Sequence, residues 1–104
     1  MKTTTIKAGS VESEPVILGH LCINAVMFPD VPQSDISVGV QVSFDGHIYL
    51  PLVVGPHDIE FTPVEPCVFQ VDREWFDAAQ YIKFYLEKAL PVDFEIQYSL
   101  REDR

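Results

Sequence analysis

The stretch VQVSFDGHIYLPL, Val40 to Leu52, decides how this chain folds. It sets an Asp-Gly pair between two apolar runs, the strongest short-range signal for a β-hairpin. Before the pair, Val38, Val40 and Val42 alternate with Gly39, Gln41 and Ser43; after it, Ile48, Leu50 and Leu52 are the apolar set. Side chains on a strand alternate between its two faces, so the register decides whether these sets meet. A two-residue Asp45-Gly46 loop would pair Val42 with Tyr49 and Gln41 with Leu50, mixing the faces. A three-residue loop, Phe44-Asp45-Gly46, pairs Val42 with Ile48, Val40 with Leu50 and Val38 with Leu52, and puts every aliphatic side chain on one side. Ser43 and Gly46 suit the ends of a type I turn closed by a left-handed glycine. The expectation is a tight hairpin with Val40 and Leu50 both in the core.

The same alternation continues in both directions. Leu21, Ile23, Ala25 and Met27 interleave with Cys22, Asn24, Val26 and Phe28, a strand apolar on both faces and therefore central. Ile59 and Phe61 alternate with Asp58, Glu60 and Thr62, and Cys67, Phe69 and Val71 make another short run. Phe94, Ile96, Tyr98 and Leu100 alternate with Asp93, Glu95, Gln97 and Ser99, the clearest half-buried strand. Pro51 cannot donate to a ladder, which places it on the outer side near a sheet edge. Asp72 to Leu90 reads two ways. Trp75, Ala78, Ala79, Ile82, Leu86 and Leu90 share one side of a helical wheel, yet Ile82, Phe84 and Leu86 alternate with Tyr81, Lys83 and Tyr85. A full helix leaves Phe76 and Phe84 on its polar side, so a helical turn at 73–78 and a strand from about Gln80 to Glu87 is favoured. Seven or eight short antiparallel strands around one core predict an all-β, single-domain, jelly-roll-like β-sandwich. The sandwich is expected over 15–100. Residues 1–14 are read as a flexible or partner-ordered N-terminal arm and 101–104 as a tail.

Composition fits that reading. A chain of 104 residues with 47 % hydrophobic residues, including seven Phe and four Tyr, has material for one core. Its apolar runs fall far short of the roughly 20 residues of a membrane span, and the N-terminal stretch lacks the apolar centre of an export signal. The chain is expected to be made and kept in a cytosol, or assembled there into something larger. Cys22 and Cys67 are then expected as reduced thiols. The net charge is −9, and from Ala8 to Asp72 there are nine carboxylates and no Lys or Arg. That balance excludes the cationic surface which direct nucleic-acid binding needs, and it leaves room for a basic partner.

Chemistry-bearing residues are sparse. His20, His47 and His57 match no metal-ligand spacing, even with Asp45 or Asp58 nearby, and are expected as exposed loop residues. Glu12/Glu14, Asp58/Glu60 and Asp93/Glu95 each share a strand face at roughly 6.5 Å, the separation of neighbouring same-face residues. Such pairs can do acid–base work in a cleft, but they also mark any strand with one wet side. No serine sits in a nucleophile elbow. Trp75, Phe76 and Tyr49 could form a platform for sugar; core packing is the simpler role for Trp75 and Phe76. No enzyme activity and no cofactor are expected.

SFDGHIYLPL with the apolar strand after it, then YIKFYL and a final VDFEIQY, resembles small β-sandwich proteins of tailed-bacteriophage particles. The resemblance runs from about Pro15 to Leu100. It implies a virion structural protein, assembled from the host cytoplasm: a capsid decoration (cement) protein, or a tail or neck component. It implies a symmetric oligomer, a homotrimer by analogy, docked on other virion proteins such as the major capsid protein, and it carries no catalytic residues. The residues expected at such an interface are Lys2, Thr3, Thr4, Thr5, Ile6 and Lys7 of the arm, together with Pro51 and His57. Two alternatives stay open: a carbohydrate-binding module, and a small acidic inhibitor of a basic host protein.

Overall fold

The alternating runs form two antiparallel sheets. The computed structural model describes residues 1–76 and 79–102, and of residues 73 and 74 the backbone only. One sheet holds β1 (Lys2–Ile6), β11 (Phe94–Glu102), β3 (Leu21–Phe28) and β9 (Cys67–Gln70), in that order. The other holds β2 (Val16–Ile17), β10 (Tyr81–Leu86), β4 (Val38–Ser43) and, at its edge, β5 (Leu50–Pro51), with β8 (Glu60–Phe61) also on β4. Between β5 and β8 the chain leaves the edge as a small hairpin, β6 (Val53–Val54) with β7 (His57–Asp58). The Ile59 N–H donates to the Leu52 carbonyl at 2.9 Å and closes its base. Counted as one interrupted strand, β5 and β8 bring the sandwich to eight strands among the described residues. Their orders are then first–eighth–third–sixth and second–seventh–fourth–fifth, the strand order of a jelly roll.

The ambiguous segment resolves as the alternation suggests. Arg73–Phe76 is a single 3₁₀ turn and Tyr81–Leu86 is a strand whose even positions are buried. The last two residues of the expected turn, Asp77 and Ala78, lie outside the described residues. Phe76 is buried and Trp75 packs against the core, as expected of both.

Rings from both sheets fill the centre. Phe28 on β3 lies 5.8 Å from Phe69, 5.8 Å from Phe94 and 6.0 Å from Phe61, between ring centroids. Phe61 and Phe69, 5.3 Å apart, set β8 against β9 at one side of the sandwich. Fully burying such a ring, as Phe28, Phe61 and Phe94 are buried, stabilises the fold by about 1.5–3 kcal/mol each. β3 is central, as its two apolar faces imply, and its pairing with β11 skips Asn24 between Ala25 and Ile23. That bulge brings Ile23 into the core beside Val26 and Phe28.

The ends of the chain differ from the expectation. Residues 1–14 are not a free arm: β1 pairs with β11 along its whole length, Ile6 is 1 % exposed and Thr4 is buried. The Thr-rich composition suggested an arm, but Thr is also a β-branched strand former, and the Thr4/Ile6 alternation supplies an inward face. Ser13 is also built in. Its N–H donates to the Phe84 carbonyl at 2.8 Å, and its hydroxyl accepts the Phe84 N–H at 3.0 Å. At the other end β11 runs through Arg101 and Glu102, so the strand is longer than expected.

Cys22 is buried and Cys67 half-buried. Cys67 pairs with Phe28, six residues along β3 from Cys22. At about 3.3 Å per residue the two thiols lie some 20 Å apart, too far to bridge.

Candidate functional site

The hairpin that decides the fold also builds the most distinctive surface. Val42 pairs with Leu50, and the Leu52 N–H donates to the Val40 carbonyl at 2.9 Å. The expected register, Val42 with Ile48 and Val38 with Leu52, is therefore displaced by two residues, and Val38 pairs with Phe61 instead. The cause lies in two side chains. The Ser43 hydroxyl accepts the N–H of Asp45 and of Gly46, at 3.3 and 2.8 Å, and donates to Asp45 Oδ1 at 3.0 Å. Asp45 Oδ1 accepts the N–H of His47 and Ile48, at 2.8 and 3.1 Å. Amides committed to Asp45 cannot enter the ladder, so the strand resumes only at Leu50. Gly46 has φ 82°, as the turn chemistry requires. The same donors, the backbone N–H of His47 first, then that of Ile48 and the Ser43 hydroxyl, hold the Asp45 carboxyl down at about 2.

A two-residue slip keeps side-chain parity, so the apolar set stays on the core-facing side. Burial nevertheless fades along it. Val40 is 1 % exposed, Val42 and Leu52 are half-buried, and Leu50 is 63 % exposed. Beyond them Ile48 is 66 % and Phe44 71 % exposed. The inner face of the second sheet thus overhangs the core, and the expectation that Leu50 is buried is overturned. The overhang forms a groove of about 480 Å³, lined almost wholly by apolar side chains from Val42 to Val53 with Asp45 at its rim.

The edge beside the groove is closed to strand pairing. Leu52 turns its N–H toward β4, so the nitrogen of Pro51 faces the free side, where it has no hydrogen to offer. Pro51 sits at an edge, as expected.

The opposite face of the same sheet is polar and aromatic. The Lys83 ammonium lies 4.5 Å above the Tyr49 ring and 3.4 Å from Glu12. Tyr85 lies across Gly39, in a cleft shared with Ser37, Asp58, Glu60 and Glu87. Burial first, then those three carboxylates, pushes the Tyr85 phenol up. The Asp58/Glu60 pair therefore gains Glu87 as a neighbour that linear spacing did not reveal. Both members of the pair are exposed, as are Glu12/Glu14 and Asp93/Glu95. His20, His47 and His57 are exposed as expected, and among the described residues no three His, Cys, Asp or Glu converge to hold a metal ion.

The expected interface residues divide. Pro51 lines the groove and His57 stands on the neighbouring small hairpin. Lys2 through Lys7 lie on or beside β1, at the far edge of the other sheet. Of these Lys2, Thr3 and Lys7 are exposed, Thr5 is half-buried, and Thr4 and Ile6 face inward. Sequence reasoning missed Phe44, Ile48, Leu50 and Val53 as a surface. Its available signal was Phe44, a large ring inside a turn that needs only Ser, Asp and Gly.

No protein-family model matches the chain, and neither a curated protein nor a solved structure matches it.

Proposed function

We propose that this chain is a non-enzymatic structural component of a tailed-bacteriophage particle, and specifically a decoration protein that docks on the capsid. The observation that carries the reading is the exposed apolar strip continuous with the core. Phe44, Ile48, Leu50 and Val53 are all more than half exposed on a hairpin whose loop is tied down by Ser43 and Asp45. Exposed apolar patches beyond a few hundred Å² mark surfaces made for another macromolecule. The jelly-roll strand order agrees with the reading, because viral capsid domains use it, although a fold alone assigns no function. In this proposal copies associate, with a trimer as the expected state, along the free edge at β1.

Mass spectrometry of particles banded in a density gradient tests it. The chain is expected in the particle band in fixed ratio to the major capsid protein. A chain found only in the unbound fraction, as a monomer, refutes the proposal. The same jelly roll serves lectins, and the Tyr85 cleft with Ser37 and its carboxylates favours glycan binding as the second reading. Saturation-transfer NMR with a glycan panel separates the two: contacts mapped to Tyr85 favour the lectin reading, and silence there removes it.

A further inference from the structure

The groove beside β5 has a defined electrostatic setting. Every residue from Ala8 to Asp72, which includes the whole groove and the small hairpin next to it, lacks a Lys or Arg. Asp45 stands on the rim with its carboxylate fixed by backbone donors, and Asp58 lies opposite Val53 in the adjoining hairpin. The groove's own lining carries one carboxylate, Asp45, and no Lys or Arg, while Lys83 reaches Tyr49 on the opposite face of the sheet. An apolar floor with that rim disfavours phosphate-bearing lipid and nucleic acid. It also disfavours a second copy of the same face, since two such faces would bring their Asp45 carboxylates together with no Lys or Arg in either lining to pair with them. Pro51 and the two-residue length of β5 withhold the edge donors that an added strand would use. What remains is recognition through side chains, apolar ones seated in the groove and cationic ones at its rim.

From these observations we infer that the β4–β5 hairpin groove is the docking site for a segment of a partner protein that carries apolar residues flanked by Lys or Arg. The inference rests on the reading that this face is where the protein docks, and it adds the chemistry of what docks there. Phe44 and Ile48 are the anchors, because the Ser43 and Asp45 hydrogen bonds hold the loop before the partner arrives. Little ordering is left to be done on binding. Four exposed apolar side chains, Phe44, Ile48, Leu50 and Val53, fit a short segment better than a broad interface of roughly 20–30 residues a side.

Three synthetic twelve-residue peptides test the inference by calorimetry on the full chain at low and moderate salt. One alternates Lys with Leu, one Glu with Leu, and one Lys with Ser. Only the Lys–Leu peptide is expected to bind well, about threefold more weakly at the higher salt. Ile48→Asp/Leu50→Asp, which removes one anchor and the floor residue beside it, is expected to weaken it roughly tenfold. The direction is diagnostic: the added carboxylates raise any binding due to net charge alone and lower binding in the groove. Both positions are more than 60 % exposed, so the variant folds, which its circular dichroism checks. Phe44→Ser, which adds no charge, is the second variant and is expected to weaken the peptide as well.

Three results overturn the inference: no binding of the Lys–Leu peptide, unchanged or tighter binding by both variants, or a concentration-dependent dimer that the variants dissolve. The last would make a second copy the occupant. The particle-band measurement is independent of all three. A chain that bands with particles while its peptide selectivity fails leaves the decoration reading standing and removes only the partner chemistry.

Discussion

Gly39→Ala probes how tightly the second sheet is built. Gly39 pairs directly with Tyr85, and a Cβ at Gly39 would lie 2.3 Å from Tyr85 Cζ, 2.5 Å from Cε1 and 2.6 Å from the phenol oxygen. Ordinary carbon contacts begin near 3.5 Å, so the ring must retreat by more than about 1 Å. The ring is rigid and half-buried, and its retreat gives up the cross-strand contact that fills the space above the glycine. Losing a cross-strand aromatic contact costs up to about 1 kcal/mol and crowding a packed site about 1–3 kcal/mol. Against this, Ala gains about 0.5–1 kcal/mol over Gly in a strand, since its unfolded chain is less free. The net expectation is a loss of about 1–3 kcal/mol. In a Tyr85→Ala background the obstacle is gone, and the same substitution should be neutral or stabilising by about 0.5 kcal/mol. Urea unfolding of the four proteins closes a double-mutant cycle whose expected coupling is at least about 1 kcal/mol. Equal costs of Gly39→Ala in both backgrounds, with coupling below about 0.5 kcal/mol, would refute the ring-over-glycine account.

Three further outcomes follow from the same coordinates. Ile6→Ala should cost about 2–4 kcal/mol in denaturant unfolding, the price of a core cavity, whereas the same change in a free arm would cost nothing measurable. Ser13→Ala strips the Phe84 N–H of its acceptor inside the sheet and should lose about 1–3 kcal/mol; Ser13→Thr, which keeps the hydroxyl, should recover part of that in the same assay. Asp45 has its folded carboxyl depressed from 3.8 to about 2, so its contribution is present above the unfolded value and is lost as pH falls through the window from about 4 to 2. Amide NMR of His47 and Ile48 in the folded protein should report loss of their hydrogen bonds with a midpoint at about 2, and Asp45→Ala should abolish the transition.

The overall architecture was legible because strand periodicity is a local property. Val38/Val40, Ile82/Phe84/Leu86 and Phe94/Ile96/Tyr98 each announce an inward face within a few residues, and each is buried as its parity dictates. The 3₁₀ turn and strand in the segment after Asp72 were readable for the same reason: a helix would have left Phe84 on a polar side, and in the sandwich it is buried. The register of the hairpin was not legible. Counting alternation separates odd from even slips, but it cannot separate a three-residue loop from one two residues later in register, because both keep the faces matched. Side-chain caps from Ser43 and Asp45 made that choice. The N-terminal strand was hidden differently: nothing within Met1–Lys7 says that β11 needs a partner on its far side.

The sequence by itself determined the class of the protein, an acidic all-β sandwich with one apolar face per strand. Tertiary structure alone decided which apolar residues the opposing sheet would reach. Val40 and Leu50 share one side of one sheet, yet one is sealed and the other stands in water. Alternation sets only the direction in which a side chain points, and burial depends on whether another layer lies in that direction.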